Sequence, residues 1–332
     1  MTAKHSDLQP QKKAILISMC ISILIMLAKF VAYFLTNSNA ILTDAAESIV
    51  NVLASSFAFY SIYLATLPKD TNHPYGHGKV EFFSAFIEGV LIALAGIIIV
   101  FKSGYDLIYP KQIGQLFEGA AIIGVTGLAN LVLGYYLIST GKNHKSITLE
   151  ADGKHLLTDA ITSAGLVLGV ILIKITGIFV LDSIISILLG IYIIYNGYKL
   201  TRRSVGGLMD ERKVELVKSI IDILQAKRKD PWIDVHNLRA QQYGAVPHND
   251  CHITLPYYFD LNCVHQEISD IDKMINGNAD RKTELFIHAD PCLPACCNYC
   301  KLKECPVRQE PFRGEIKWTI DNATKNQKHF DQ

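Results

Sequence analysis

The chain has 332 residues, 50% of them apolar and 19% charged, with a formal net charge of +1. Soluble domains carry about 25% charged residues, so this composition excludes a wholly soluble enzyme, a fibrous protein and a disordered one. The small net charge, with no basic block, argues against a nucleic-acid binder.

The deficit of charge is uneven. From Ala14 to Tyr198 long apolar runs dominate, and from Lys199 onward the chain reads as an ordinary soluble sequence. A bilayer core about 30 Å thick needs roughly 20 apolar residues of helix. Six segments qualify, at residues 14–36, 40–65, 82–104, 117–139, 152–174 and 178–198. The first carries Lys29 as its one charge and is longer than the apolar region of a signal peptide, so it reads as a retained helix. The expectation is an integral, multi-pass membrane protein in contact with lipid.

Basic residues orient the spans. One side holds Lys4, Lys12, Lys13, Lys69, Lys79, Lys142, Lys145, Lys154, Lys199, Arg202 and Arg203; the other holds Lys102, Lys111 and Lys174. This bias predicts that both termini face the cytoplasm, in a bacterial inner membrane.

Beyond Leu208, residues 210–229 have helical periodicity closed by Pro231, and residues 235–242 and 251–257 alternate like strands. A helix over 262–275 and a short strand over 283–288 follow. The order α-β-β-α-β predicts a small open α+β sandwich. Three parts result: a six-helix transmembrane domain over residues 1–208, a cytoplasmic domain over 209–291, and a Cys-rich tail over 292–332.

Ionisable residues within a span are functional candidates by default. The second span holds Glu47 and Asn51, and the fifth holds His155 and Asp159. Both pairs are spaced i,i+4, which sets each pair on one helix face. Where the two faces meet, three oxygen ligands and one imidazole form a tetrahedral set for a borderline divalent ion such as zinc. The alternative is a pair of interhelical hydrogen bonds with no metal. Glu88, amid apolar residues of the third span, is an accessory candidate as proton carrier or as a carboxyl bonded to a neighbouring helix.

These two motifs resemble the signature of the cation diffusion facilitators, proton-coupled exporters of divalent transition metals. The loop His73-Pro74-Tyr75-Gly76-His77-Gly78-Lys79-Val80-Glu81 resembles that family's loop between its second and third helices. The helix count, the inward termini and the α-β-β-α-β order resemble it too. The resemblance implies a homodimer with alternating access and a metallochaperone-like cytoplasmic domain that binds metal. Its transport site falls on Glu47, Asn51, His155 and Asp159. The family usually has Asp or His and then Asp where this chain has Glu47 and Asn51. The quartet keeps a formal charge of −2 with His155 neutral, and Asp44, one turn before Glu47, offers another carboxylate.

The same resemblance implies a loop metal site at Asp70, His73 and His77, where the bland alternative is two histidines capping helix ends. It implies a binuclear cytoplasmic site at His236, His252, His265, His288 and Asp290, and an ion pair between Lys79 and Asp210. His155 favours zinc, iron, cobalt or nickel over manganese. Zinc leads this expectation, with cadmium also in range and protons as the coupling ion.

The family core does not require the run Cys292-x₃-Cys296-Cys297-x₂-Cys300-x₄-Cys305. On a reducing cytoplasmic face, disulfides are disfavoured. Dense thiols there suit Zn²⁺, Cu(I) or an iron–sulfur cluster, or form a reduced loop with no ligand. The sequence has no phosphate-cradling loop and no His-Glu-x-x-His, so neither a nucleotide nor an enzyme activity is expected. The rival reading is a membrane-anchored metal sensor or scaffold that does not transport.

Overall fold

A computed structural model describes residues 9–36, 39–109, 116–176, 180–243, 246–278 and 283–330. The chain divides into two compact units, residues 1–209 and 210–332.

The first unit is six long helices: α1 (Gln9–Thr36), α2 (Asn39–Ala65), α3 (Val80–Ile108), α4 (Leu116–His144), α5 (Ile147–Thr176) and α6 (Val180–Leu208). Each of the first five covers a predicted span and runs past it at one or both ends; α6 runs ten residues past the end of the predicted 178–198, whose first two residues lie outside the described ones. Among the described residues, Pro10–Val31, Val80–Ile108 and Ala121–His144 are apolar stretches long enough to cross a membrane. The apolar runs of α2 and α5 are broken by the polar residues they carry, including Asn51, Asp152, His155 and Asp159. Phe34, Phe101, Ile108, Val125 and Ile175 stand more than two-thirds exposed on the helix faces. Such a belt is unfavourable in water and at ease in lipid.

Lipid supplies no hydrophobic drive between helices, so close packing relies on small residues. Gly89 and Gly96 of α3 face Gly197 and Gly190 of α6. A Cβ added at Gly96 would lie 2.9 Å from the carbonyl oxygen of Gly190, and one at Gly197 2.7 Å from that of Gly89. Two glycines seven residues apart on each helix therefore let α3 and α6 run with their backbones nearly touching. Alanine at any of the four would push them apart.

At the end of α3 joined to the 66–79 loop, Glu81 is buried and accepts the Ser146 hydroxyl at 2.6 Å. Ser61 Oγ donates to the Val80 carbonyl at 3.0 Å. This fastens α2 and the α4–α5 turn to the base of the loop.

The second unit holds α7 (Val214–Ala226), β1 (Asp234–Tyr243), β2 (Val246–Leu255), α8 (Leu261–Asn278), β3 (Glu284–Pro291), a 3₁₀ turn (Pro294–Asn298) and the short α9 (Ile320–Ala323). The order α-β-β-α-β is the one predicted. The sheet runs β1-β2-β3, with β1 antiparallel and β3 parallel to β2. A parallel pair needs a crossover, and α8 supplies it. The core packs Val217, Ile220, Ile221 and Leu224 of α7 against Trp232, Val235, Leu238, Ile253 and Leu255.

Trp318 and Ala323 belong to the same core. The segment after Pro291 thus folds back onto the sheet and helices. Arg228 fixes it: the guanidinium lies 3.9 Å over the Trp318 ring and donates to the Ile316 carbonyl at 2.6 Å and to Glu315 at 3.0 Å. It also donates to the carbonyls of Trp232 and Ile233.

Candidate metal sites

The in-membrane site is built where α2 meets α5. Asn51 Nδ2 donates to Asp159 Oδ2 at 2.6 Å, and its Oδ1 lies 2.7 Å from His155 Nε2. With the amide nitrogen engaged, Oδ1 is the acceptor, so His155 carries its proton on Nε2. His155 Nε2 and Asp159 Oδ2 are 3.9 Å apart, and Asn51 bridges them. The i,i+4 spacing within α5 therefore brings both groups to one partner on α2. Glu47 and Asp44 lie on α2 with their side chains outside the described residues.

One turn before His155, Asp152 is fully buried and accepts the hydroxyls of Ser18 at 2.8 Å and Ser55 at 2.9 Å. This carboxylate ties α1 and α2 to α5 and holds the helix face on which His155 stands. Glu88 on α3 is also buried, and neither carboxyl oxygen has a hydrogen-bond partner among the described residues. A separate cavity of about 250 Å³ is lined by Lys154, Lys199 and Arg203. Its cationic wall is unsuited to a metal ion.

The 66–79 loop makes a second cluster. Asp70 Oδ1 accepts the backbone N–H of Asn72 at 3.0 Å and that of His73 at 2.6 Å. His73 Nδ1 is 3.0 Å from Asp70 Oδ1, and His77 Nε2 is 3.3 Å from Asp70 Oδ2. Gly76 has φ +89°, which reverses the chain so that His77 returns to Asp70. One ligand atom from each of the three residues lies within 4.8 Å of the others. The His73 backbone N–H, followed by the His73 and His77 rings, holds the Asp70 carboxyl below its ordinary value.

In the second unit, strand register does the positioning. His236 pairs with His252 across β1 and β2, and His252 with His288 across β2 and β3. The three imidazoles form a row, with ring centres 5.1 and 4.7 Å apart. Asp290 reaches into the row, 3.0 Å from His252 Nδ1 and 3.4 Å from His236 Nε2. His236, His252 and Asp290 meet the same 4.8 Å criterion. His288 is more exposed and lies 3.9 Å from Asp290. His265 stands exposed on α8 and joins neither cluster among the described residues.

Residues 15–209 match the family model described as the cation efflux transmembrane domain, and residues 213–292 the one described as cation efflux protein, cytoplasmic domain. The chain belongs to the cation efflux family. An uncharacterized transporter of Synechocystis is 32% identical over 265 residues, covering 79% of this chain and 84% of that protein. The cation-efflux pump FieF of Shewanella oneidensis is 27% identical over 278 residues, covering 82% and 92%. The zinc transporter ZitB of Escherichia coli is 25% identical over 259 residues, covering 76% and 80%. The cation efflux family consists of transporters, so the chain is a membrane transporter and not an enzyme.

Relative to that family framework, three contacts escaped the sequence reading. Lys328 Nζ lies 3.4 Å from Asp290, placing an ammonium against the carboxylate of the histidine row. His329 pairs with Asp234, which is also 3.4 Å from His236 Nδ1. Burial opposes ionisation of Asp234, and hydrogen bonds from His236 and His329 override it, holding the carboxyl down at about 2. Third, the strand bulges after His236, Asn237 takes φ +52°, and its freed N–H donates to the Lys325 carbonyl at 2.7 Å. Residues 325–329 thus back the histidine row.

The five clustered cysteines fall almost entirely beyond the 213–292 match. Cys296 and Cys300 are buried with Ile233 in a small apolar cluster that Cys292, Leu302 and Phe330 complete. Burial pushes the Cys296 thiol up to about 12. All eight cysteines of the chain are free thiols.

Proposed function

We propose that this chain exports a divalent transition-metal cation, zinc first, from the cytoplasm in exchange for protons, as a homodimer with both termini cytoplasmic. The observation that carries this reading is the buried junction of Asn51, His155 and Asp159 between α2 and α5. These are the residues that the family resemblance assigns to transport. Each offers a metal-ligand atom, and the i,i+4 sequence spacing from Asn51 makes Glu47 the expected fourth ligand.

Proton coupling follows from the chemistry of the donors. Metal binds neutral imidazole and ionised carboxylate, so loading releases protons and proton uptake expels the ion. Glu88 is the further group through which a proton can pass. The Asp70 loop and the histidine row are accessory metal sites in this reading. The match of residues 213–292 to the family's cytoplasmic domain supports the dimer, and the basic bias of the loops supports the orientation. The names of the relatives, a cation-efflux pump and a zinc transporter, support the cargo class.

The test is flux in proteoliposomes across zinc, iron, cobalt, nickel, cadmium and manganese, with and without a pH gradient. Zinc movement that follows an imposed proton gradient supports the proposal. Zinc binding without flux would favour a sensor or scaffold, and flux indifferent to the gradient would remove proton exchange.

A further inference from the structure

Outside the transport site and the two histidine clusters, one group of soft ligands is unexplained. Cys292, Cys296, Cys297, Cys300 and Cys305 line a single cavity of about 30 Å³ together with Ile233, Tyr257 and Arg308. That volume has room for an ion.

The sulfurs are held by a specific frame. Backbone N–H groups donate to three of them: Tyr257 to Cys292 at 3.4 Å, Leu293 to Cys296 at 3.0 Å, and Gln309 to Cys297 at 3.4 Å. A thiol sulfur is a weak acceptor. N–H donors aimed at sulfur are what stabilise a thiolate bound to metal. Arg308 closes the loop, donating to the carbonyls of Cys297, Cys300 and Leu302 at 2.9, 3.0 and 2.6 Å. Its charge sits where an anionic tetrathiolate needs a counter-ion. The spacing Cys297-x₂-Cys300 is that of a two-ligand chelate. The cysteine sulfurs are not among the groups already drawn within 4.8 Å, so an ion would contract the cavity around itself.

We infer that this cluster binds one soft divalent cation, zinc or cadmium, through four of its five thiolates, as a retained site distinct from the transported ion. The consequence is architectural. Phe330 packs on this cluster, His329 on Asp234 and Lys328 on Asp290. A metal here fastens residues 291–330 and, through them, the back of the histidine row.

The experiment uses full-length protein in detergent, reduced, stripped with chelator and titrated with Co²⁺. Thiolate ligands give cobalt an intense sulfur-to-metal charge-transfer band that histidine and carboxylate sites do not give. One such equivalent per chain is expected, bleached by added Zn²⁺. The double variant Cys297→Ser/Cys305→Ser leaves three cysteines, one too few for a tetrathiolate. Both positions are half-buried, so folding is little disturbed. It should lower the band's intensity by at least about a quarter and weaken zinc affinity at this site by at least about 100-fold. Cys263→Ser, on α8 and exposed, should keep it.

No charge-transfer band in wild type, or a band of undiminished intensity and unchanged zinc affinity in the double variant, overturns the inference. A measurement without substitution runs in parallel. Zinc should slow alkylation of the cysteines between 292 and 305 by at least about 10-fold and leave Cys263 unchanged; equal rates with and without zinc would also overturn it. Asp159→Ala should retain the band whatever its flux, which separates failure of this site from failure of the transport reading.

Discussion

Replacing Asp159 separates a metal ligand from a structural brace. Its Oδ2 accepts Asn51 Nδ2 at 2.6 Å, and Asn51 is 7% exposed. A hydrogen bond to a charged group contributes about 1.5–3 kcal/mol, and the stranded amide adds to the loss. Asp159→Ala should therefore lower the stability of the transmembrane domain by about 2 kcal/mol. Asp159→Asn keeps the volume and an oxygen that accepts the same bond, and should cost less than about 1 kcal/mol.

For transport the two variants should behave alike. Each takes the formal charge of the quartet from −2 to −1, leaving one carboxylate against a divalent ion. Zinc flux should fall at least about 100-fold in both. The assay pairs flux in proteoliposomes with thermal unfolding in detergent, on samples of equal reconstituted amount. Wild-type flux in Asp159→Asn would refute the assignment. A flux loss confined to Asp159→Ala, in step with its stability, would make Asp159 a brace between α5 and α2.

Asn51→Asp should raise zinc affinity, leave the maximal rate unchanged or lower, and steepen the dependence of affinity on pH, because a further carboxylate must shed its proton on loading; competition transport over about pH 6 to 8 reads all three. Arg228→Ala removes a guanidinium that is 3% exposed and bonds three carbonyls and Glu315. It should destabilise the second unit by about 3–5 kcal/mol. Both tryptophans of the chain, Trp232 and Trp318, lie in that unit's core, so tryptophan fluorescence in denaturant follows it alone. Acid unfolding of the same unit should reflect Asp234, whose carboxyl falls from 3.8 to about 2 on folding. The contribution, about 2 kcal/mol, is fully present above pH 3.8, where the unfolded chain is also ionised, and is lost as pH falls through about 2. Asp234→Asn should flatten that acid limb; an unchanged limb would show that the histidine contacts do not stabilise the domain.

What a single helix or strand dictates was legible in the sequence. The i,i+4 spacing of His155 and Asp159 put both on the face of α5 that meets Asn51, and residue alternation marked β1. The resemblance pointed to Asp70, His73 and His77, and the structure brings the three together because a turn at Gly76 closes the loop within eight residues. Boundaries were less legible: β2 starts at Val246, five residues before the predicted Cys251, because Pro247, His248, Asn249 and Asp250 lack apolar alternation and are held by pairing to β1. The joining contacts were not legible at all. Ser18 and Ser55 reach Asp152 from 134 and 97 residues away, and His329 reaches Asp234 from 95. No local pattern encodes such distances. The residues after Pro291 read as a tail because their sequence is polar, yet Trp318 and Ile316 are enough to anchor them once Arg228 supplies a partner.

Asn51 is the residue on which sequence and geometry bear most closely together. A carboxylate in its place would face Asp159 as a like charge at about 2.6 Å, a contact that costs several kcal/mol at any plausible protein dielectric. An amide instead offers a donor to Asp159 and an acceptor to His155, so the three side chains form a closed polar network. Neither Asp159 nor His155 is left bare in a low-dielectric surrounding. On the proposed reading an incoming ion would have to break both bonds, and it would then meet a neutral oxygen at Asn51 and not a charged one. Both effects weaken binding, and for an exporter weak binding has a use: the ion that is held less tightly is the one that leaves.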